Sequence, residues 1–151
     1  MKIETILIGE LLSENGYIVK NGGYRGLMEA VSNGATYNGG KAIGFTCKSF
    51  GFTQGNEYLS ETVECDDIYD RLRCLNSDSD VFVIQRGGIG TLAEVFLLLD
   101  EVRKMKNKPK IYIFGEQWSK LFSNLSDFMS PEQINMIILC DDFDDFSKKF
   151  K

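Results

Sequence analysis

Histidine is absent from all 151 residues. That gap removes the Ser-His-Asp and Cys-His arrangements, the H-E-x-x-H zinc site and any imidazole base. The chemistry open to this chain belongs to carboxylates, Arg, Lys, Tyr and backbone dipoles. No C-x-x-C pair occurs among Cys47, Cys65, Cys74 and Cys140, so neither a zinc knuckle nor a redox motif is signalled, and the plain reading is buried free thiols. No stretch approaches the roughly 20 apolar residues of a membrane span. The N-terminus shows no basic region followed by an apolar core and a cleavage site, and the sequence reads as cytoplasmic. Clustered Lys and Arg are also lacking, and the net charge is −5, so a nucleic-acid polymer, which is held by neutralising many phosphates at once, is not an expected partner. A small anionic ligand held by local dipoles stays open.

What the chain does have is enough apolar material, 43% of its residues, to bury a core, and its length suits one domain over 1–151. Ile3, Ile6, Leu7, Leu11 and Leu12 fall at helical spacing with Glu4, Glu10 and Glu14 opposite, and Gly16 stands where a helix would stop. Strand-like Tyr17–Lys20 and a glycine turn then lead into a helix carrying Leu27, Met28, Ala30, Val31 and Ala35. Ala42–Cys47 reads as a strand, Lys48–Asn56 as a surface loop and Glu61–Cys65 as a further short strand. Asp66 or Asp67 can cap a helix whose apolar stripe is Ile68, Leu72 and Leu75. The run D-V-F-V-I-Q has the continuous β-branched and aromatic character of a strand covered on both faces. A long helix with Leu92, Val95, Phe96, Leu99, Val102 and Met105 follows, then the strand K-I-Y-I-F, a helix after Trp118, the strand M-I-I-L-C and a last acidic helix near Asp142–Phe150. Strands alternating with helices of this length require helical returns between parallel strands. The expected fold is therefore α/β, a three-layer Rossmann-like parallel sheet with helices on both faces.

In such sheets ligands bind beyond the carboxyl ends of the strands, where glycine turns enter helices. Two turns qualify, N-G-G-Y-R-G at 21–26, with Gly22 and Gly23, and R-G-G-I-G-T at 86–91, with Arg86, Gly87, Gly88, Gly90 and Thr91. Glycine lets the main chain approach a ligand, and the unpaired N–H groups of a helix start attract phosphate. Close packing of strand on helix is the competing explanation for the same glycines, a stronger one at 21–26 than at 86–91. Neither turn is a dinucleotide fingerprint or a Walker loop, so a mononucleotide or sugar phosphate fits better than NAD or ATP with magnesium. Glu94 stands one turn beyond Gly90, where the helix dipole favours an ionised carboxylate suited to act as a base or to stabilise positive charge. Arg71 and Arg73 lie on the preceding helix, where an arginine is ordinarily solvated.

The stretch G-G-Y-R-G-L-M-E-A-V, the Arg on the next helix and S-D-V-F-V-I-x-x-G-G-I-G-T-L-A-E together resemble the Lonely Guy family of Rossmann-fold proteins, often labelled lysine decarboxylases. The similarity extends over nearly the whole chain, including K-P-K-I-Y-I-F-G-E-Q-W. That family is marked by Pro-Gly-Gly-x-Gly-Thr-x-x-Glu and an upstream Arg. The resemblance implies hydrolysis of the N-glycosidic bond of a nucleoside 5′-monophosphate without a cofactor or metal, in a homodimer. It implies Glu94 and Arg71 as catalytic residues and Gly87, Gly88, Gly90 and Thr91 as the phosphate turn, with Arg71 holding substrate or aligning the carboxylate. Arg86 occupies the family's proline position, where it contacts phosphate or pairs with a surface acid. Family members begin with a strand and a Gly-Ser-type turn, whereas this sequence starts inside the first helix, so the usual first strand is expected to be lacking. The alternative function is a non-catalytic carrier of a nucleotide or phosphorylated cofactor, like the molybdenum cofactor carriers. A lysine decarboxylase would need a marked Schiff-base Lys, and none is evident.

Overall fold

The alternation of apolar runs and glycine turns produces seven α-helices and six strands among the residues described by the computed structural model, 1–150. They fall into two compact units, Met1–Ser77 and a second that begins at Asp78.

In the first unit, α1 (Lys2–Glu14) leads to β1 (Val19–Asn21), α2 (Leu27–Tyr37), β2 (Ala42–Cys47), β3 (Glu61–Cys65) and α3 (Ile68–Asn76). The strands are parallel in the order β1-β2-β3, with Val19 opposite Ala42 and Ile43 opposite Glu61. The central strand β2 is almost wholly buried. Glycine sets how closely α1 and α2 pack, because a Cβ on Gly9 would run into the Val31 carbonyl and one on Gly34 into that of Ile6. Asp67 is the residue that caps α3, its carboxylate accepting the Asp70 N–H at 2.8 Å. The expected loop after β2 contains one turn of 3-10 helix, Lys48–Phe50, closed by Gly51 at φ +79°.

The second unit runs β4 (Val81–Ile84), α4 (Ile89–Val102), β5 (Lys110–Phe114), α5 (Glu116–Ser123), α6 (Pro131–Ile134), β6 (Ile137–Cys140) and α7 (Phe143–Lys149). Its parallel order is β4-β5-β6. Alternate residues of β5 face opposite ways, as a strand requires. Ile111 and Ile113 join Val95, Leu98, Leu99 and Val102 of α4 and Trp118 and Phe122 of α5. On the other face, Tyr112 meets Phe146 of α7 edge-on at 5.1 Å, and Phe114 meets it at 5.2 Å. Helices therefore cover both faces of β5, and the architecture is three-layer α/β with a Rossmann-like parallel strand arrangement.

Several details differ from the sequence reading, among them β1, which is Val19–Asn21, and α5, which contains Trp118 instead of following it. The four residues of β4 are half-buried rather than fully covered. Helix α4 runs Ile89–Val102, so the last glycine of the motif is helical and Met105, read as part of the helix, lies beyond its end in 3-10-type bonds. The short α6 carries a capping box between Ser130 and Gln133 that the apolar spacing did not announce. Among the described residues no helix is long and apolar enough to cross a membrane.

Candidate functional site

The first unit gathers one group of the candidate residues around the turn after β1. Asn21 folds this turn locally: its Oδ1 accepts the Gly23 N–H at 2.8 Å, while its Nδ2 donates to Ser32 Oγ at 2.8 Å. Asn56 ties down the other side, donating its backbone N–H to the Gly23 carbonyl at 2.9 Å and its Nδ2 to the Tyr24 carbonyl at 2.8 Å. Gly23 lies at φ +83° against the β2 backbone, and a Cβ on Gly22 would collide with the guanidinium of Arg71. Packing thus accounts for both glycines, and what they make room for is an arginine.

Arg71 is only 9% exposed. Its Nε donates to the Phe45 carbonyl at 2.7 Å and its Nη2 to the Gly22 carbonyl at 2.8 Å. The guanidinium carbon lies 5.3 Å from the Tyr24 ring centroid and 5.2 Å from that of Phe50, within cation–π range. Arg73, two residues on, is the solvated arginine of the helix and faces Asp70 at 3.6 Å.

The second unit carries the other group. Between the end of β4 and the start of α4, Gly88 is the N-cap and Ile89, Gly90 and Thr91 form the first turn, whose N–H groups have no partners within the helix. The turn is held from α5. Gln117 Oε1 accepts the Gly87 N–H at 3.3 Å, its Nε2 donates to the Gly87 carbonyl at 3.0 Å, and Trp118 Nε1 donates to the Gln85 carbonyl at 3.0 Å. The glycines differ in kind. A Cβ on Gly87 would strike the Thr91 side chain, whereas Cβ atoms on Gly88 or Gly90 would meet nothing within 4 Å. Packing therefore explains Gly87 and leaves Gly88 and Gly90 as exposed, uncovered main chain. Glu94 stands half-buried further along the same helix, and Arg86 is exposed at the turn's entry.

The sequence did not single out Tyr24, Phe50, Gln117 or Trp118. The last two stand in G-E-Q-W, where an amide directly before a buried tryptophan at a helix start was the available signal. Cys47, Cys65 and Cys140 are buried free thiols and Cys74 is half-buried. Burial pushes the thiols of Cys65 and Cys140 up to about 11. Among the described residues no group of three or more Cys, Asp or Glu side chains is arranged to hold a metal.

The family model described as possible lysine decarboxylase matches residues 28–150. An uncharacterized protein of Archaeoglobus fulgidus is 29% identical over 109 residues, 72% of this chain and 71% of its own. A cytokinin riboside 5′-monophosphate phosphoribohydrolase of Mycobacterium tuberculosis is 29% identical over 91 residues, covering 59% of this chain and 49% of the relative, about half its length. Among solved structures, the molybdenum cofactor binding protein of the phototrophic bacterium Rippkaea orientalis superimposes with a TM-score of 0.76 at 22% identity, over 98% of this chain and 84% of that one.

Proposed function

The chain belongs to the Lonely Guy family, whose model carries the description possible lysine decarboxylase, and from that premise we propose that it hydrolyses the N-glycosidic bond of a nucleoside 5′-monophosphate. The bond from C1′ to the base nitrogen breaks, the base leaves with the electron pair and takes a proton, and water oxygen bonds to C1′ to give ribose 5-phosphate. The uncovered main chain at Gly88 and Gly90, opening a helix of 14 residues, carries this reading. Its free N–H groups and the helix dipole suit a 5′-phosphate. Glu94 supplies a carboxylate to stabilise the positive charge that develops on the sugar and to orient water. In the first unit, Arg71 is the fixed cation that the family resemblance assigns to catalysis. On the same reading the protein is a cytoplasmic homodimer acting on a small molecule.

The description as a decarboxylase receives no support from the lysines. Among the described residues none is buried, and the one that is half-buried, Lys20, donates to the Ser77 carbonyl at 2.6 Å. Pyridoxal phosphate chemistry needs a lysine held in a dedicated site.

The test is incubation with AMP and related monophosphates, following free base. Folded wild-type protein that releases no more base than Glu94→Ala abandons the hydrolase. A second reading, a carrier that binds a phosphorylated ligand without turnover, is favoured by the likeness in fold to the molybdenum cofactor binding protein of Rippkaea orientalis. Thermal stabilisation by AMP with no base released selects it.

A further inference from the structure

A buried guanidinium normally has a carboxylate beside it, because desolvating an unpaired charge is costly. Arg71 does not: among the described residues it makes no ion pair, and its protein partners are two carbonyls and two rings. Two of its five N–H donors are spent on Phe45 and Gly22, which leaves three. The charge is thus supported by the fold without being neutralised by it.

Tyr24 supplies one of the two rings in that support and is tied to the elements that supply the rest. Its ring lies against the guanidinium and, at 6.0 Å and 27°, stacks with Phe52. Its hydroxyl accepts the Cys47 N–H at 2.9 Å and donates to the Phe52 carbonyl at 2.7 Å. The ring is therefore anchored at its far end to the segment that presents Phe50, the other ring against Arg71. One residue couples the glycine turn, the end of β2 and the arginine of α3.

We propose that Tyr24 is a positioning residue, which holds the Arg71 guanidinium with its unspent donors ready for acceptor oxygens of a nucleoside monophosphate. This rests on the nucleotide reading of the chain. A flat ring stabilises the cation through its face without consuming an N–H, which a carboxylate at the same place would do.

The experiment measures AMP affinity by calorimetry, with kcat and KM for base release, in wild type, Tyr24→Leu, Tyr24→Phe, Arg71→Ala and Tyr24→Leu/Arg71→Ala. Tyr24→Leu is expected to weaken AMP binding about 3- to 30-fold, the range a cation–π contact supports, and to raise KM while kcat changes less. Tyr24→Phe, which restores the ring, recovers most of that loss. In the Arg71→Ala background Tyr24→Leu costs less than about twofold, because its effect passes through the arginine. Equal losses in both backgrounds, or wild-type affinity in Tyr24→Leu, overturn the proposal. Should Tyr24→Leu lose its native circular dichroism, Phe50→Leu takes its place at a ring that is 48% exposed, with the same dependence on Arg71 expected. Wild type that binds AMP but releases no base removes the hydrolase and leaves the affinities to decide about Tyr24. Wild type that binds neither AMP nor inorganic phosphate overturns both.

Discussion

The side-chain amide of Gln117 grips the main chain of Gly87 at both ends, accepting its N–H at 3.3 Å and donating to its carbonyl at 3.0 Å. A glutamine thus does for this turn what a neighbouring strand does for a β-residue, and it fixes the peptide directly before the helix start. A net hydrogen bond contributes about 0.5–1.5 kcal/mol. Gln117→Ala is expected to lower stability by about 1 kcal/mol in urea titration and to weaken AMP binding several-fold, whereas a ligand affinity equal to wild type would show that the turn needs no such support.

Glu94→Gln keeps shape and removes charge. If the carboxylate stabilises a cationic sugar, kcat falls about 100-fold or more while AMP affinity changes little, because the interaction strengthens only as charge develops. A loss confined to KM would assign Glu94 to ground-state binding instead.

Gly90 and Gly34 are both helical glycines, and Ala at the two sites should behave oppositely. A methyl group on Gly34 meets the Ile6 carbonyl, so thermal stability drops. A methyl group on Gly90 meets nothing within 4 Å, and the gain in helix propensity of about 0.5–1 kcal/mol leaves the protein as stable as before or more so. AMP affinity is nevertheless expected to fall in Gly90→Ala, since the methyl occupies the approach to the amides.

Phe146 is fully buried against Tyr112, Phe114, Phe143 and Phe150. Phe146→Ala removes the centre of that aromatic layer and should cost about 3–5 kcal/mol. A shift below 1 kcal/mol in chemical denaturation would mean that α7 contributes little to the fold.

Burial raises the Cys140 thiol from an ordinary 9.0 to about 11. Folding therefore favours the protonated thiol, so its contribution is complete below pH 9 and is lost as the pH climbs through 11. Wild type should lose stability between those limits more steeply than Cys140→Ala in urea midpoints, and half-buried Cys74 should alkylate before Cys140 in the native protein. Equal slopes for the two proteins would remove the thiol from the alkaline transition.

The alternation of strand and helix was legible because its signals are local: periodicity, glycine stops and the caps at Asp67 and Asp142 lie within a few residues of what they organise. The half-burial of β4 was not, since an apolar run does not tell how completely its two faces are covered. The glycine-turn residues were visible as a motif, but the motif could not sort Gly87, which packs on Thr91, from Gly88 and Gly90, which pack on nothing. Arg71 was marked by resemblance alone. Its surroundings depend on Phe45, Gly22, Tyr24 and Phe50, residues brought together by β2 and the turn after β1, and no spacing along the chain encodes that meeting.

Those two carbonyl partners stand 26 and 49 residues away from Arg71 along the chain. No peptide cut from α3, and no partly folded chain in which β1, β2 and α3 have not yet met, can assemble such a cation. The share of nucleotide affinity that depends on Arg71 should consequently report order in the first unit, lost in rising urea together with the unfolding of β2 instead of fading gradually ahead of it.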